Sequence, residues 1–206
     1  HEKQYREYKS GQAKEQFNKD ELKKAQALCD KYNSSDAVVT AKKKKKDTMK
    51  PGKLYSLTKL QNVLGKKYKM SMAQSLEIVQ GLYEKGYVTY PRTNSEYLAT
   101  AEKEKIAEII SKVRGIGYPV VMKDSKRIFD DSKIESHSAL TPTYKIPSPD
   151  ALGEDEKKVY STVLRRFVAV FCAEDCTVAK TEMTISVGKL EDFVLKGTTI
   201  LTPGWM

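Results

Sequence analysis

The part of this chain with the most chemistry in it runs Gly86-Tyr87-Val88-Thr89-Tyr90-Pro91-Arg92-Thr93-Asn94-Ser95. A phenol can attack phosphorus and leave a phosphotyrosyl ester, provided it loses its proton and the phosphate is held. Arginine two residues further on can grip a phosphate bidentately and stabilise the charge that develops. Pro91 fixes one φ angle, ends a strand and could present Tyr90 at a rigid rim. Thr93 and Ser95 can donate to neighbouring phosphate oxygens. The same residues also fit a surface tyrosine beside a turn, because Tyr-x-Arg is a common triplet. Local chemistry alone does not separate the two readings.

Other reactive side chains are sparse. Cys29, Cys172 and Cys176 are an odd number, and no export signal precedes them, so they read as free thiols in a reducing compartment. Cys172 and Cys176 are four apart, a spacing for one helical face. A metal site there would need two more ligands, and the two histidines, His1 and His137, lie far apart in sequence. No metal ligands are assigned.

The 206 residues hold 37 Lys+Arg against 27 Asp+Glu, a net charge of +10. That excess points to an anionic partner, nucleic acid before an anionic membrane surface. A hydrophobic fraction of 39% is enough for a core and excludes wholesale disorder. No apolar run approaches the ~18 residues of a membrane span. The chain opens on His1 and closes on Trp205-Met206 just after an apolar segment, so it reads as a piece of a longer protein.

Several elements must position the tyrosine. Residues 2–16 are polar, with Tyr5 and Tyr8 interspersed. Asn18 is placed to cap a helix from Lys19 to about Tyr32, with Leu22, Ala25 and Leu28 near one face. Ala37-Val38-Val39-Thr40 predicts a short strand that runs into Lys42–Lys46, either a solvated strand end or a phosphate contact. Pro51-Gly52 marks a boundary. A helix over 56–64 follows, then one capped by Ser71 and ended by Gly86 at C′, then a strand over Tyr87–Tyr90. That order would suit a winged-helix-like unit. Residues 101–113 and 154–171 are amphipathic helices, and 119–150 are irregular around His137. From Thr177 the apolar residues alternate, with Gly188-Lys189 at a hairpin turn.

The segment Leu82–Ser95 resembles the active-site signature of type IA DNA topoisomerases. Two further stretches resemble that family in the right order. Leu54-Tyr55-Ser56-Leu57-Thr58-Lys59-Leu60-Gln61 is similar to the lead-in, with Ala73–Glu84 its following helix. Ser136-His137-Ser138-Ala139-Leu140-Thr141-Pro142-Thr143 is similar to its His-containing motif. The matches cover about 50 to 143, and Tyr-Pro-Arg-Thr is closest to the topoisomerase III branch.

The resemblance implies an isomerase that cleaves one DNA strand through a 5′-phosphotyrosine and rejoins it without ATP, in relaxation or decatenation. Tyr90 would be the nucleophile, Arg92 would hold the phosphate, and His137 would contact a phosphate or assist proton transfer. Thr93, Asn94, Ser95, Gln80 and Lys59 would face DNA. The implied fold is α+β: a mostly helical, winged-helix-like tyrosine domain, residues 51–173, inserted into a small antiparallel β-rich arch built from 36–50 and 174–206. Residues 1–35 would be a helical lead-in from a neighbouring domain.

Two positions depart from the family pattern: Asn94 where Asp is frequent, and Ser138 where Glu or His is. The family's acidic domain, with its Asp-x-Asp pair and Mg²⁺, would precede residue 1, since no Asp-x-Asp occurs here. These residues would therefore hold no cofactor and would be inactive alone. The resemblance also implies single-stranded DNA and that acidic domain as partners, no membrane, a monomer, and a cytoplasmic, nucleoid-associated location. The principal alternative is a non-catalytic winged-helix module that binds single-stranded DNA. Relaxases and tyrosine recombinases need more histidines and arginines around the tyrosine. A membrane-surface scaffold would need a lipidation signal or a bulky amphipathic helix.

Overall fold

The computed structural model describes residues 21–206. They divide into two compact units. One comprises 21–48 and 177–201, the other 49–176 and 202–206.

The first unit is built on a three-stranded antiparallel sheet of order β1-β2-β3, with β1 Ala37–Met49, β2 Cys176–Val187 and β3 Glu191–Thr202. The β2–β3 connection is a type I′ turn. Gly188 and Lys189 have φ of 58° and 57°, and the Leu190 amide donates to the Val187 carbonyl at 2.9 Å. A side chain at 188 would also sit 2.7 Å from Ser35 Cβ, so glycine is required twice over. The Gly188 amide donates to the Asp36 carbonyl at 2.9 Å, which sets the register of β1. Helix α1, Leu22–Asn33, packs beside the hairpin: the Tyr32 ring meets Phe193 edge-on at 5.5 Å and its hydroxyl donates to Glu191 at 2.6 Å. Of the expected α1 face, Ala25 is buried and Leu22 is exposed. The expected cap, Asn18, lies outside the described residues.

β1 is longer than its four-residue sequence signal. Lys42–Lys46 lie within the strand, all exposed. Lysine is a poor strand former, but ladder hydrogen bonds to β2 carry it, and both faces of this edge strand reach water.

The second unit has four helices: α2 Leu57–Tyr68, α3 Met72–Glu84, α4 Lys103–Gly115 and α5 Glu154–Phe171. α2, α3 and α5 pack on one another through Leu60, Leu64, Val79, Leu82, Val163 and Phe167, all 0–1% exposed. Ser71 caps α3 by accepting from the Gln74 amide at 3.1 Å. At the start of α5 the Glu156 carboxylate accepts from the Gly153 amide at 3.0 Å and from Lys85 at 2.6 Å. The Lys85 hydrogen bond holds the Glu156 carboxyl below the usual range. That contribution to stability is present above the ordinary carboxylate pKa and is lost as pH falls through the depressed one.

Several boundaries differ from the sequence expectation. Residues 21–35 pack with the sheet rather than standing apart as a lead-in. Residues 202–206 join the helical unit instead of the arch, with Trp205 Nε1 donating to the Met49 carbonyl at 2.7 Å. Cys172 ends α5 and Cys176 begins β2, so they share no helix face. The expected strand over Tyr87–Tyr90 is reduced to one antiparallel bridge, Val88 to Pro142. Proline on each side removes ladder donors there, so the pairing cannot spread. Among the described residues of this unit there are isolated bridges but no β ladder to form a wing.

Tyr160 gives a direct stability test. Its ring is packed in the α5 core, and among the described residues its hydroxyl has no hydrogen-bond partner. Burial pushes the phenol well above its ordinary pKa. A buried unsatisfied hydroxyl costs about 1–3 kcal/mol. Tyr160→Phe is therefore expected to raise stability by up to about 1 kcal/mol in urea unfolding, net of small packing changes. A loss of more than about 1 kcal/mol would mean that the hydroxyl has a partner.

Candidate active site

The loop that carries Tyr90 starts from the end of α3. Gly86, at φ 76°, is the left-handed residue of a Schellman motif: its amide donates to the Tyr83 carbonyl at 2.8 Å and the Tyr87 amide to Leu82 at 2.9 Å. This fixes the direction in which the chain leaves the helix, four residues before Tyr90.

The loop is then bonded along its length to residues 137–143. The Thr143 amide donates to Tyr87 at 3.1 Å, and its hydroxyl to the Gly86 carbonyl at 2.6 Å. The Thr89 amide donates to the Thr141 carbonyl at 2.9 Å, while the Thr141 amide returns a bond to the Thr89 hydroxyl at 3.0 Å. The lead-in joins the same network, because the Leu140 amide donates to Tyr55 at 2.8 Å. Arg166 of α5 lies 4.4 Å over the Tyr55 ring and holds that residue down. Three segments far apart in sequence thus form one layer.

Tyr90 sits at its rim, half-buried. Its ring is 4.5 Å from the His137 ring and 5.5 Å from Tyr83, which meets it edge-on at 81°. His137 is exposed. Arg92 is exposed too, and among the described residues its guanidinium makes no ion pair or hydrogen bond. A three-residue turn projects it: the Thr93 amide donates to the Pro91 carbonyl at 2.9 Å.

The other expected DNA contacts fare differently. Asn94 is exposed. Lys59 is exposed and 4.0 Å from Glu96. Gln80 is half-buried, and its amide donates to Glu84 at 3.1 Å. Thr93 and Ser95 correct the sequence reading. They are 3% and 7% exposed, and their hydroxyls are consumed within the protein. Thr93 Oγ1 donates to the His137 carbonyl at 2.9 Å, and Ser95 Oγ bonds the Lys133 carbonyl at 3.1 Å. Neither is available to a phosphate. Ser138 is likewise internal, donating to the Glu102 carboxylate.

Tyr83, in the last turn of α3, joins the site through a ring contact that the sequence does not announce. It stands 38% exposed against the Tyr90 ring. Only its position, seven residues before Tyr90 and three before Gly86, hints at the contact. Among the described residues no group of three or more His, Cys, Asp or Glu could hold a metal ion. Among them, too, no helix is long and apolar enough to cross a membrane.

A family model described as DNA topoisomerase matches residues 1–206. Among curated proteins, DNA topoisomerase 3 of Bacillus cereus is 36% identical over 202 residues, covering 92% of this chain and 26% of that protein. DNA topoisomerase 1 of Alkalihalophilus pseudofirmus is 29% identical, covering 100% of this chain and 28% of that protein. Among solved structures, full-length topoisomerase I from Thermotoga maritima superposes with a TM-score of 0.61 at 25% identity, covering 94% of this chain and 32% of that one. The chain spans about a quarter of the length of the curated relatives it matches.

Proposed function

Starting from the fact that this chain belongs to the type IA DNA topoisomerase family, we propose that it carries the tyrosine half of an active site that cleaves and rejoins one DNA strand. The observation that carries this reading is the Tyr90–His137 ring pair at the rim of the layer, with Arg92 exposed two residues further along the loop. Tyr90 Oη attacks a backbone phosphorus, the P–O3′ bond breaks, and the 3′ oxygen leaves as a hydroxyl. The strand stays attached through its 5′ phosphate. Attack by the 3′ hydroxyl reverses the step, and the ester linkage keeps the bond energy without ATP. Arg92 holds the phosphate bidentately. His137 is within reach of the same phosphate or of the transferred proton.

The acidic groups that would complete the site, and the Mg²⁺ they would bind, belong in this reading to residues outside these 206. Incubating the chain with a nicked or bridging-phosphorothiolate oligonucleotide, with and without an added acidic domain of the family and Mg²⁺, tests it. Adduct is expected only with the addition, and rapid adduct from the chain alone would refute the division of the site.

Binding alone should be electrostatic. Log K for single-stranded DNA is expected to fall linearly with log salt, by about 0.7 for each phosphate neutralised. Replacing Lys42–Lys46 together with Gln reports how many of those phosphates β1 contacts. Affinity independent of salt would contradict the account.

A further inference from the structure

Every polar group of Thr93 is engaged, each by a different part of the site. Its amide closes the turn that projects Arg92, bonding Pro91 at 2.9 Å. Its carbonyl accepts the Leu57 amide at 3.0 Å. That amide opens α2 and has no partner inside the helix. Its hydroxyl donates to the His137 carbonyl at 2.9 Å and accepts the Ser95 amide at 3.1 Å. The lead-in, the tyrosine loop and the histidine segment therefore meet on one residue that is only 3% exposed.

We propose that Thr93 is a positioning residue whose hydroxyl fixes the His137 imidazole against the Tyr90 ring. The inference rests on the proposed function for its catalytic consequence, but not for its geometry. On the C-terminal side, residues 138 and 139 are held: the Ala139 amide bonds Tyr97 at 2.8 Å, and Ser138 Oγ accepts the Ala99 amide at 3.2 Å. Among the described residues, Ser136 and His137 have no hydrogen bond other than the one from Thr93. That bond therefore sets the peptide plane from which the imidazole projects. Water has little access to a hydroxyl this buried, so it does not replace a lost bond at the same geometry. Displacing a catalytic group by about 1 Å can cost about 10²-fold in rate.

Thr93→Val keeps the shape and removes the hydroxyl, whereas Thr93→Ser keeps the hydroxyl and removes the methyl. NMR cross-peaks between the His137 and Tyr90 ring protons, in the 206-residue chain without DNA, read the geometry directly. The Val variant is expected to lose most of their intensity and the Ser variant to retain it. Adduct formation, measured with the acidic domain added, should fall about tenfold or more in the Val variant at unchanged half-saturating DNA, and recover in the Ser variant. Unchanged cross-peaks in the Val variant, or their loss in the Ser variant, would overturn the proposal. If the Val variant does not fold, the Ser variant decides by the same criterion. A chain with intact cross-peaks that never forms an adduct at Tyr90 would instead count against the proposed function, leaving the positioning result in place.

Discussion

Tyr90→Phe is expected to abolish the covalent DNA adduct and to leave single-stranded DNA affinity within about twofold. The variant loses one oxygen, and that oxygen is the proposed attacking atom. No other hydroxyl takes over at the same place. Tyr83 meets Tyr90 edge-on, with its own ring 5.5 Å away, and Thr93 and Ser95 are buried with their hydroxyls occupied. Losing a nucleophile typically costs about 10⁴-fold or more. The fold should not notice the change, because the contacts of Tyr90 with His137 and Tyr83 are made by the ring, which Phe keeps. Gel analysis of denatured complexes with a labelled suicide oligonucleotide measures the adduct, and fluorescence anisotropy measures the binding. If adduct and binding disappeared together, Tyr90 would be a DNA contact or a structural residue, not the nucleophile.

The second large effect is on stability. Phe167→Ala is expected to cost about 3–5 kcal/mol. Phe167 is 0% exposed, its ring lies 4.7 Å from Phe171, and it belongs to the core shared by α2, α3 and α5. Small domains are stable by only about 5–15 kcal/mol, so the helical unit should lose most of its folded population near its working temperature. Urea unfolding followed by circular dichroism gives the number. A change below about 1 kcal/mol would show that the site collapses around the deletion and that the core is softer than its burial implies.

Much of this molecule was legible because its signals were local. The apolar stripe of α5 needs only a period of 3.6 residues. Gly86 and Gly188-Lys189 were readable because left-handed backbone conformations favour glycine, and the structure puts φ of 76°, 58° and 57° at those residues. What was not legible depends on partners distant in sequence. Ala41 to Met49 continues the strand because β2 lies beside it, which five lysines do not announce. Tyr87–Tyr90 has good strand residues, yet Pro142 opposite Val88 leaves a single bridge.

The site divides in the same way. The residue types around Tyr90 and Arg92 pointed to phosphate chemistry, and the family resemblance drew attention to His137. Thr93 and Ser95, expected to face DNA, are instead buried, because a hydroxyl beside an arginine looks the same whether it faces a phosphate or a carbonyl 44 or 38 residues away. Only burial separates the two. Glu102 was invisible for a similar reason: its carboxylate receives the Ser138 hydroxyl and the Ala99 amide, a partnership made by the turn at 99–102.

The most direct test of the central claim is to find the atom that holds the DNA. Trapping the complex with a suicide oligonucleotide in the presence of the added acidic domain, digesting it, and sequencing the nucleotide-bearing peptide by mass spectrometry identifies both the residue and the end of the strand. The expected result is a 5′ phosphate esterified to Tyr90. Attachment at Tyr83, Tyr87 or Tyr97, a linkage through a 3′ phosphate, or an adduct that persists in the Tyr90→Phe chain would contradict it.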